Sequence, residues 1–355
     1  MKSTLKLAVV ICLIYTAGFA QDEFFEPTTT IGGYGELHYN QKTVGEGETT
    51  KITDFHRFII FYSHAWTESW SFKSEVELEH NFVKDGQGEL ELEQAYVNYH
   101  SEHFGIQAGV ILPSIGFLNE YHEPPLFLSV ERPEYAKYIV PTTWFGNGMA
   151  LYGKFGSLDW KTVVMEGLNG DNISSKWDQG IRGGRQKGYK SNAEKLLYNL
   201  RIDYTGLLGL KVGGSFSTTE AIVSEEGKNN IEIQLSEAHA KLDKWNVVAV
   251  FEWGNIQYTN HVVKSSTGYY LDLGYNVSSL LKMEGKLIPW VRIADINPGI
   301  GHELESSKHY SKWMAGLTYK PINKVAFKVD YAVKTLADSE ADETTMINFG
   351  VGYDF

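Results

Sequence analysis

The sequence has one cysteine, Cys12, inside the apolar run 7–15. Without that segment the chain holds no thiol, so disulfides, Cys–zinc sites and cysteine nucleophiles are excluded together. Long apolar runs are missing too. Past residue 20 no uncharged stretch approaches the roughly 18 residues a spanning helix needs, which excludes an α-helical membrane protein. Positive charge is in deficit: 32 Lys and Arg stand against 44 Asp and Glu, a net charge of −12. That balance is a poor match for a nucleic-acid backbone, and no nucleic-acid partner is expected. No Gly-x-Ser-x-Gly and no His-Glu-x-x-His occurs. No enzymatic activity, catalytic residue, cofactor or metal is expected. Disorder is excluded by 43% hydrophobic and 14% aromatic residues.

The first twenty residues read as an export signal. Lys2 and Lys6 precede the apolar run, and Gly18-Phe19-Ala20 places small residues at the −3 and −1 positions. Cleavage after Ala20 would leave 21–355 as one domain. It would also take the basic residues from 32 to 30 against 44 acids, a mature net charge of −14.

What the remainder has in abundance is period-two alternation, with almost no helical periodicity. In 70–82 one face reads Trp70, Phe72, Ser74, Val76, Leu78, His80, Phe82, and the other Ser71, Lys73, Glu75, Glu77, Glu79, Asn81. Ile347, Phe349, Val351, Tyr353 and Phe355 form a similar face at the end of the chain, and Trp245, Val247, Ala249, Phe251 and Trp253 a third. Sixteen strands are expected, near 29–40, 51–63, 70–82, 89–100, 104–112, 143–155, 158–167, 196–204, 210–218, 231–242, 245–254, 267–276, 285–295, 309–319, 325–334 and 344–355. Around 58–61 both faces are apolar. Near 92–95 the phase slips by one residue, which suggests a bulge.

The connections alternate long (41–50, 113–142, 168–195, 219–230, 255–266, 296–308, 335–343) and short (101–103, 156–157, 205–209, 243–244, 320–324); the link at 83–88 is short but falls in the long class by position. A soluble β-sandwich would also alternate. Many strands, however, run long enough to cross a bilayer when tilted, aromatics sit at strand ends, and the face opposite the apolar one is charged. These features favour an all-β, antiparallel transmembrane barrel with both termini on the short-turn side. One Arg or Lys on a lipid face would cost about 2–4 kcal/mol at the midplane, so the charged faces should line the lumen. Lumen acids would be Glu36, Glu75, Glu77, Glu79, Asp159, Asp203, Glu252, Asp272 and Asp330. Lumen bases would be Lys73, Lys161, Arg201, Lys211, Lys241, Arg292, Lys312 and Lys328. A lipid-face lipase site is disfavoured, since His80 has no partnered serine.

Two long connections carry chemistry. Segment 113–142 is stiffened by Pro113, Pro124, Pro125, Pro133 and Pro141, and it carries Glu120, Glu123, Glu131 and Glu134 against Arg132 and Lys137, a local count of −2. It reads either as a pore-narrowing loop, with Arg132 and Lys137 facing acids across the channel, or as an extracellular flap. Segment 168–195 carries Lys176, Arg182, Arg185, Lys187, Lys190 and Lys195 against three acids. It reads as a mobile, glycine-rich mouth loop: an anion funnel, a surface touching lipopolysaccharide, or a plain solvated loop. Glu75, Glu77 and Glu79 share one wall, but residues two apart on a strand lie nearly 7 Å apart, too far for one cation without other ligands.

Several motifs resemble one family. Ala95-Tyr96-Val97-Asn98-Tyr99 with Gly105–Gly116 resembles the strand pair before the constriction loop of the phosphate-selective porin O/P family of Gram-negative outer membranes. Phe127-Leu128-Ser129-Val130-Glu131-Arg132-Pro133 resembles its loop segment, Asn147–Gly153 its return strand, and Leu287–Arg292 a later strand with a Pro-aromatic-x-Arg core. The terminal Phe355 resembles the aromatic end by which the barrel-assembly machinery recognises its clients. The resemblance implies about 16 strands, loop 3 folded into the lumen, a homotrimer in outer-membrane lipid and lipopolysaccharide, and a constriction that includes Glu131, Arg132, Glu134 and Lys137. The acidic loop departs from the family's lysine-rich constriction. The leading expectation is therefore passive diffusion of small hydrophilic solutes and ions with weak cation preference or none. A phosphate- or anion-selective porin is the alternative, and an exported β-rich surface binding protein without a pore is a third.

Overall fold

The computed structural model describes residues 25–84 and 87–355; the expected signal peptide lies outside the described residues. Sixteen antiparallel strands close into one barrel, each bonded to its chain neighbours, with β1 paired to β16. They are β1 Thr28–Val44, β2 Thr49–Ala65, β3 Trp70–Glu79, β4 Leu90–His100, β5 Phe104–Ile111, β6 Gly146–Phe155, β7 Leu158–Glu166 and β8 Leu196–Leu207. The second half adds β9 Leu210–Ala221, β10 Ile231–Lys244, β11 Val247–Thr259, β12 Ser265–Tyr275, β13 Lys286–Ile300, β14 Tyr310–Ile322, β15 Val325–Leu336 and β16 Thr344–Asp354.

Each of the sixteen expected strands is present. The differences lie at the long-loop ends. Most of 41–50 is strand, not loop, as is much of 255–266 and 296–308. In β10 the apolar Ala238 and Ala240 face out and Glu237 and His239 face in. Nearer the long loops, Ile231, Ile233 and Leu235 face in while Glu232, Gln234 and Ser236 are exposed. The same inversion occurs in β11, where Phe251 and Trp253 face out below while Gln257 and Thr259 do so above. An outward apolar series that ends halfway along a strand makes the rest look like loop. Trp253 and Tyr269 pair across β11 and β12 at the level of the inversion, where an interfacial aromatic girdle belongs.

Below that level the burial pattern is that of a soluble protein turned inside out. Phe349 is 51% and Ile293 50% exposed, whereas Arg292 is 3% and Glu252 1% exposed. Trp245 does not begin β11. With Asn246 it forms the tight turn after β10, both at positive φ.

Two bulges shape the interior. Glu36 pairs with Arg57 and Leu37 with Phe55, leaving His56 as the extra residue of β2. Glu75 pairs with Gln94 and Val76 with Leu92, leaving Glu93 extra in β4. The latter is the phase slip visible near 92–95. Each bulge brings one more polar side chain to the interior than strict alternation allows.

Candidate functional site

Segment 112–145 joins β5 to β6 and carries a short helix, α1 Tyr135–Tyr138. Its contacts run round the ring. Asn199 of β8 bonds both backbone groups of Ser114, at 3.0 and 3.1 Å. Arg201 donates to the Gly116 carbonyl at 2.5 Å, and Glu252 of β11 accepts from the Phe117 amide at 3.0 Å. Thr318 of β14 donates to the Leu128 carbonyl at 2.6 Å. From β15, Asp330 accepts from the Val130 amide at 2.7 Å, while Lys328 donates to the carbonyls of Pro124 and Ser129 at 2.7 and 2.8 Å. Gly116 has φ +60°, and any Cβ there would strike the Glu252 carboxylate.

The loop acids sit against like-charged pairs of wall bases. Lys161 of β7 stands opposite Arg201 of β8, an unfavourable cross-strand pair on its own. Glu120 lies between them, 2.6 Å from Lys161 and 3.7 Å from Arg201. Lys312 of β14 stands opposite Lys334 of β15, and Glu134 lies 3.4 Å from Lys312. Glu131 accepts from Asn40 at 2.9 Å and lies 2.9 Å from Nδ1 of His38. Burial alone would raise these carboxyls. For Glu120 and Glu134 the neighbouring wall bases outweigh it and hold them low; for Glu131 the His38 hydrogen bond does so, bringing it down to about 2.

The expected partnership of Arg132 and Lys137 with acids takes another form. Arg132 donates to the His122 carbonyl at 3.2 Å and makes no ion pair among the described residues. Lys137 is exposed, 5.4 Å from the Tyr138 ring centroid. Among the described residues Arg132, Lys137 and Glu123 are in no ion pair, whereas the other three acids of the segment are taken up by the wall.

Glu75, Glu77 and Glu79 do share the interior face of β3, but each has a partner. Arg57 lies 3.1 Å from Glu77, 3.8 Å from Glu79 and 2.7 Å from Glu36. Glu75 accepts from Gln94 and lies 3.4 Å from Nε2 of His122, as does the bulged Glu93. Burial and the nearby Arg132 would lower the His122 imidazole; Glu75 and Glu93 outweigh them and raise it to about 9. Arg201 and Lys211 converge on Asp203, at 2.9 and 3.0 Å. Arg292 stands apart, held bidentately by Asp272 at 2.5 and 2.6 Å.

Sequence reasoning missed Arg57, His38, His122 and Glu93. The bulges displace Arg57 and Glu93 from the simple alternation, and the phase slip was the available signal for Glu93. Nothing in the local pattern marks His38 or His122 as partners of loop acids and wall carboxylates.

Segment 168–195 is neither open nor freely solvated. It forms α2 Gly170–Ser175, capped by the Asn169 side chain accepting from the Asn172 amide at 2.9 Å. Ile173 and Ile181 are fully buried with Ile115, Tyr135, Ile139 and Trp144 of the first segment and with the wall residues Ile233, Leu235, Ile256 and Ile296. Gly180, at φ +57°, lies so close to the Tyr138 carbonyl that no side chain fits. Arg185 donates to the carbonyls of Thr142 and Thr143 at 3.0 and 2.9 Å. Gly184 is likewise packed against Ile173 too closely for a side chain.

Beneath Leu126, Phe127 and Leu128, toward the short turns, lies a cavity of about 490 Å³. Lys211, Lys241, Lys244, Lys286 and Lys320 line it against Asp243 and Asp272, and Asp272 is already held by Arg292. A second cavity of about 470 Å³, lined by Glu134, Tyr138, Lys42, Lys308 and Lys334, opens on the long-loop side.

No family model matches the chain. An uncharacterised protein of Aquifex aeolicus (strain VF5) is 29% identical over 340 residues, covering 88% of this chain and 77% of that protein. Among solved structures, Salmonella typhi OmpF in complex with daunomycin superposes with a TM-score of 0.64 at 13% identity, covering 92% of this chain and 97% of that one. The anion-selective porin from Comamonas acidovorans gives 0.61 at 10% identity over 93% and 100%. The outer-membrane channel DcaP of Acinetobacter baumannii gives 0.61 at 9% identity over 94% and 99%. At such identities the likeness concerns the fold and does not single out the phosphate-selective porin O/P family. Together with the apolar outer belt and the charged interior, it gives the chain the fold of a sixteen-stranded transmembrane β-barrel, the fold that these outer-membrane proteins share.

Proposed function

We propose that the chain is an outer-membrane porin through which small hydrophilic solutes and ions diffuse passively, with segment 112–145 lying across the lumen as its constriction. The observation that carries this is the anchoring of that segment to β1, β8, β11, β14 and β15 of one closed ring. A segment tied to opposite walls crosses the space between them. Export through a signal peptide cleaved after Ala20, recognition of Phe355 by the barrel-assembly machinery, lipopolysaccharide contact and a homotrimer belong to the same proposal. Lys228→Cys on a long loop and Ser157→Cys on a short turn test the orientation. An impermeant thiol reagent added to whole cells should label only the first.

A second reading, anion preference, is favoured by charge placement. The loop acids are neutralised by the wall, so the count of −2 overstates the field they exert. Of the cavity lysines, Lys241, Lys244, Lys286 and Lys320 are in no ion pair among the described residues, and water-poor walls focus such fields. Reversal potential in a planar bilayer under a KCl gradient decides. Chloride preference supports this second reading, and potassium preference returns the function to weakly cation-selective diffusion. No conductance from heat-modifiable, folded barrel would leave a surface binding protein.

A further inference from the structure

Asp54 and the bulged His56 of β2 meet His80, just past β3, at the long-loop end of the barrel. Asp54 Oδ2 lies 3.0 Å from Nδ1 of His56 and 2.8 Å from Nδ1 of His80. The three ligand atoms all lie within 4.8 Å of one another. We propose that these residues form a binding site for a borderline divalent transition cation such as Zn²⁺ or Ni²⁺, with a fourth position open to solvent.

Asp54 and His56, two apart on β2, fall on one side of the strand, and the bulge at His56 turns Arg57 to that side as well. His80 has φ 55° and Asn81 φ 65°, a left-handed pair that L residues seldom adopt. That turn swings the His80 ring back over β2, where it meets His56 edge-on with centroids 5.3 Å apart. Strained backbone that persists around convergent polar groups is a reasonable place to look for a ligand.

The donor set specifies the class of ion. Two imidazoles and one carboxylate suit zinc, nickel or copper, whereas calcium and magnesium call for oxygen ligands. Bonds of about 2.0–2.2 Å to a tetrahedral ion place ligand atoms roughly 3.3–3.5 Å apart. The observed separations of 2.8 and 3.0 Å need open by only about half an ångström. His38 completes the surroundings without serving as a ligand. It stacks on His56 at 5.0 Å, and its own nitrogens face Glu36 at 3.1 Å and Glu131 at 2.9 Å. A bound dication would therefore sit one imidazole away from Glu131 of segment 112–145.

Calorimetric titration of the folded full-length barrel in detergent with Zn²⁺ alone tests this independently of conductance. One Zn²⁺ per chain and no response to Ca²⁺ are expected. His56→Ala and His80→Ala should each weaken binding by about tenfold or more, since losing a ligand costs no less than losing an outer-shell partner. His103→Ala, at the short-turn end, should leave it unchanged. Asp54→Asn keeps the shape of the cluster while removing its carboxylate, and heat-modifiable mobility confirms that each variant folds. Equal zinc affinity in the wild type and in a folded His56→Ala/His80→Ala variant would overturn the assignment, as would loss of binding in His103→Ala.

Discussion

The two halves of β10 obey opposite rules. From Ile231 to Ser236 the inward side chains are apolar and the outward ones polar; from Glu237 to Lys241 the inward ones are ionisable, and Ala238 and Ala240 turn outward. The first half has the pattern of a soluble barrel, with polar residues outward and inward apolar ones packed against residues of segments 112–145 and 168–195. The second is a membrane barrel, with lipid outside and ion pairs inside. One strand changes solvent partway along its length, and its residue pattern changes with it.

Trp144→Ala should give the largest difference between the halves. This side chain is 2% exposed within the apolar packing, and its loss costs about 3–5 kcal/mol. The cost should fall on the packed segments and not on the sheet. Protease cleavage within 112–145 should rise while heat-modifiable mobility is retained.

Val291→Arg and Gln257→Arg both introduce a cation on the outer surface, at different heights. The first should block assembly, at about 2–4 kcal/mol near the midplane, and the second should assemble normally. Equal assembly of the two, measured by folded yield in outer membranes, would erase the distinction between the halves.

The ionic anchors should respond to pH, and the apolar packing should not. His122 is raised from 6.5 to about 9, so the folded state favours its protonated form. Its contribution is fully present below about pH 6.5 and is lost as pH rises through 9. Glu131 is lowered from 4.5 to about 2; its contribution is present above about pH 4.5 and is lost as pH falls toward 2. Open-channel noise in bilayers should be lowest between those limits and rise on either side. His122→Gln should remove the alkaline rise alone.

The smallest effect concerns selectivity. Lys241→Gln with Lys286→Gln should shift the reversal potential toward cations at low salt. The shift should shrink as the Debye length falls toward about 3 Å at 1 M. No shift at any salt would remove the lysine cavity from the permeation path.

The sequence made the membrane half of this molecule legible and obscured the other. Phe349 and Val351 alternate cleanly because lipid imposes a strict apolar face. Gln257 and Thr259 carry no such signal, since water accepts either kind of residue, and the ends of β11 and β13 therefore read as loop. The candidate site was legible as a set of charges. Glu134 and Lys312 were both named, but the contact between residues 178 positions apart depends on the register of strands a local pattern does not encode. The bulge at Glu93 left a visible slip in phase; the one at His56 lay hidden where both faces around 58–61 are apolar.

The height of the outer apolar face bears on the bilayer itself. On β11 that face runs only from Val247 to Trp253, roughly 15 Å along the membrane normal at a rise of about 3.3 Å and a tilt near 40°. On β14 it runs from Trp313 to Ile322, roughly 23 Å by the same reckoning. Lipid beside β11 must thin, or the barrel must lean toward that side, to keep Gln257 and Thr259 in water. The molecule would then carry a local depression in the membrane around one flank, a shape that neighbouring proteins with short belts would share at little cost.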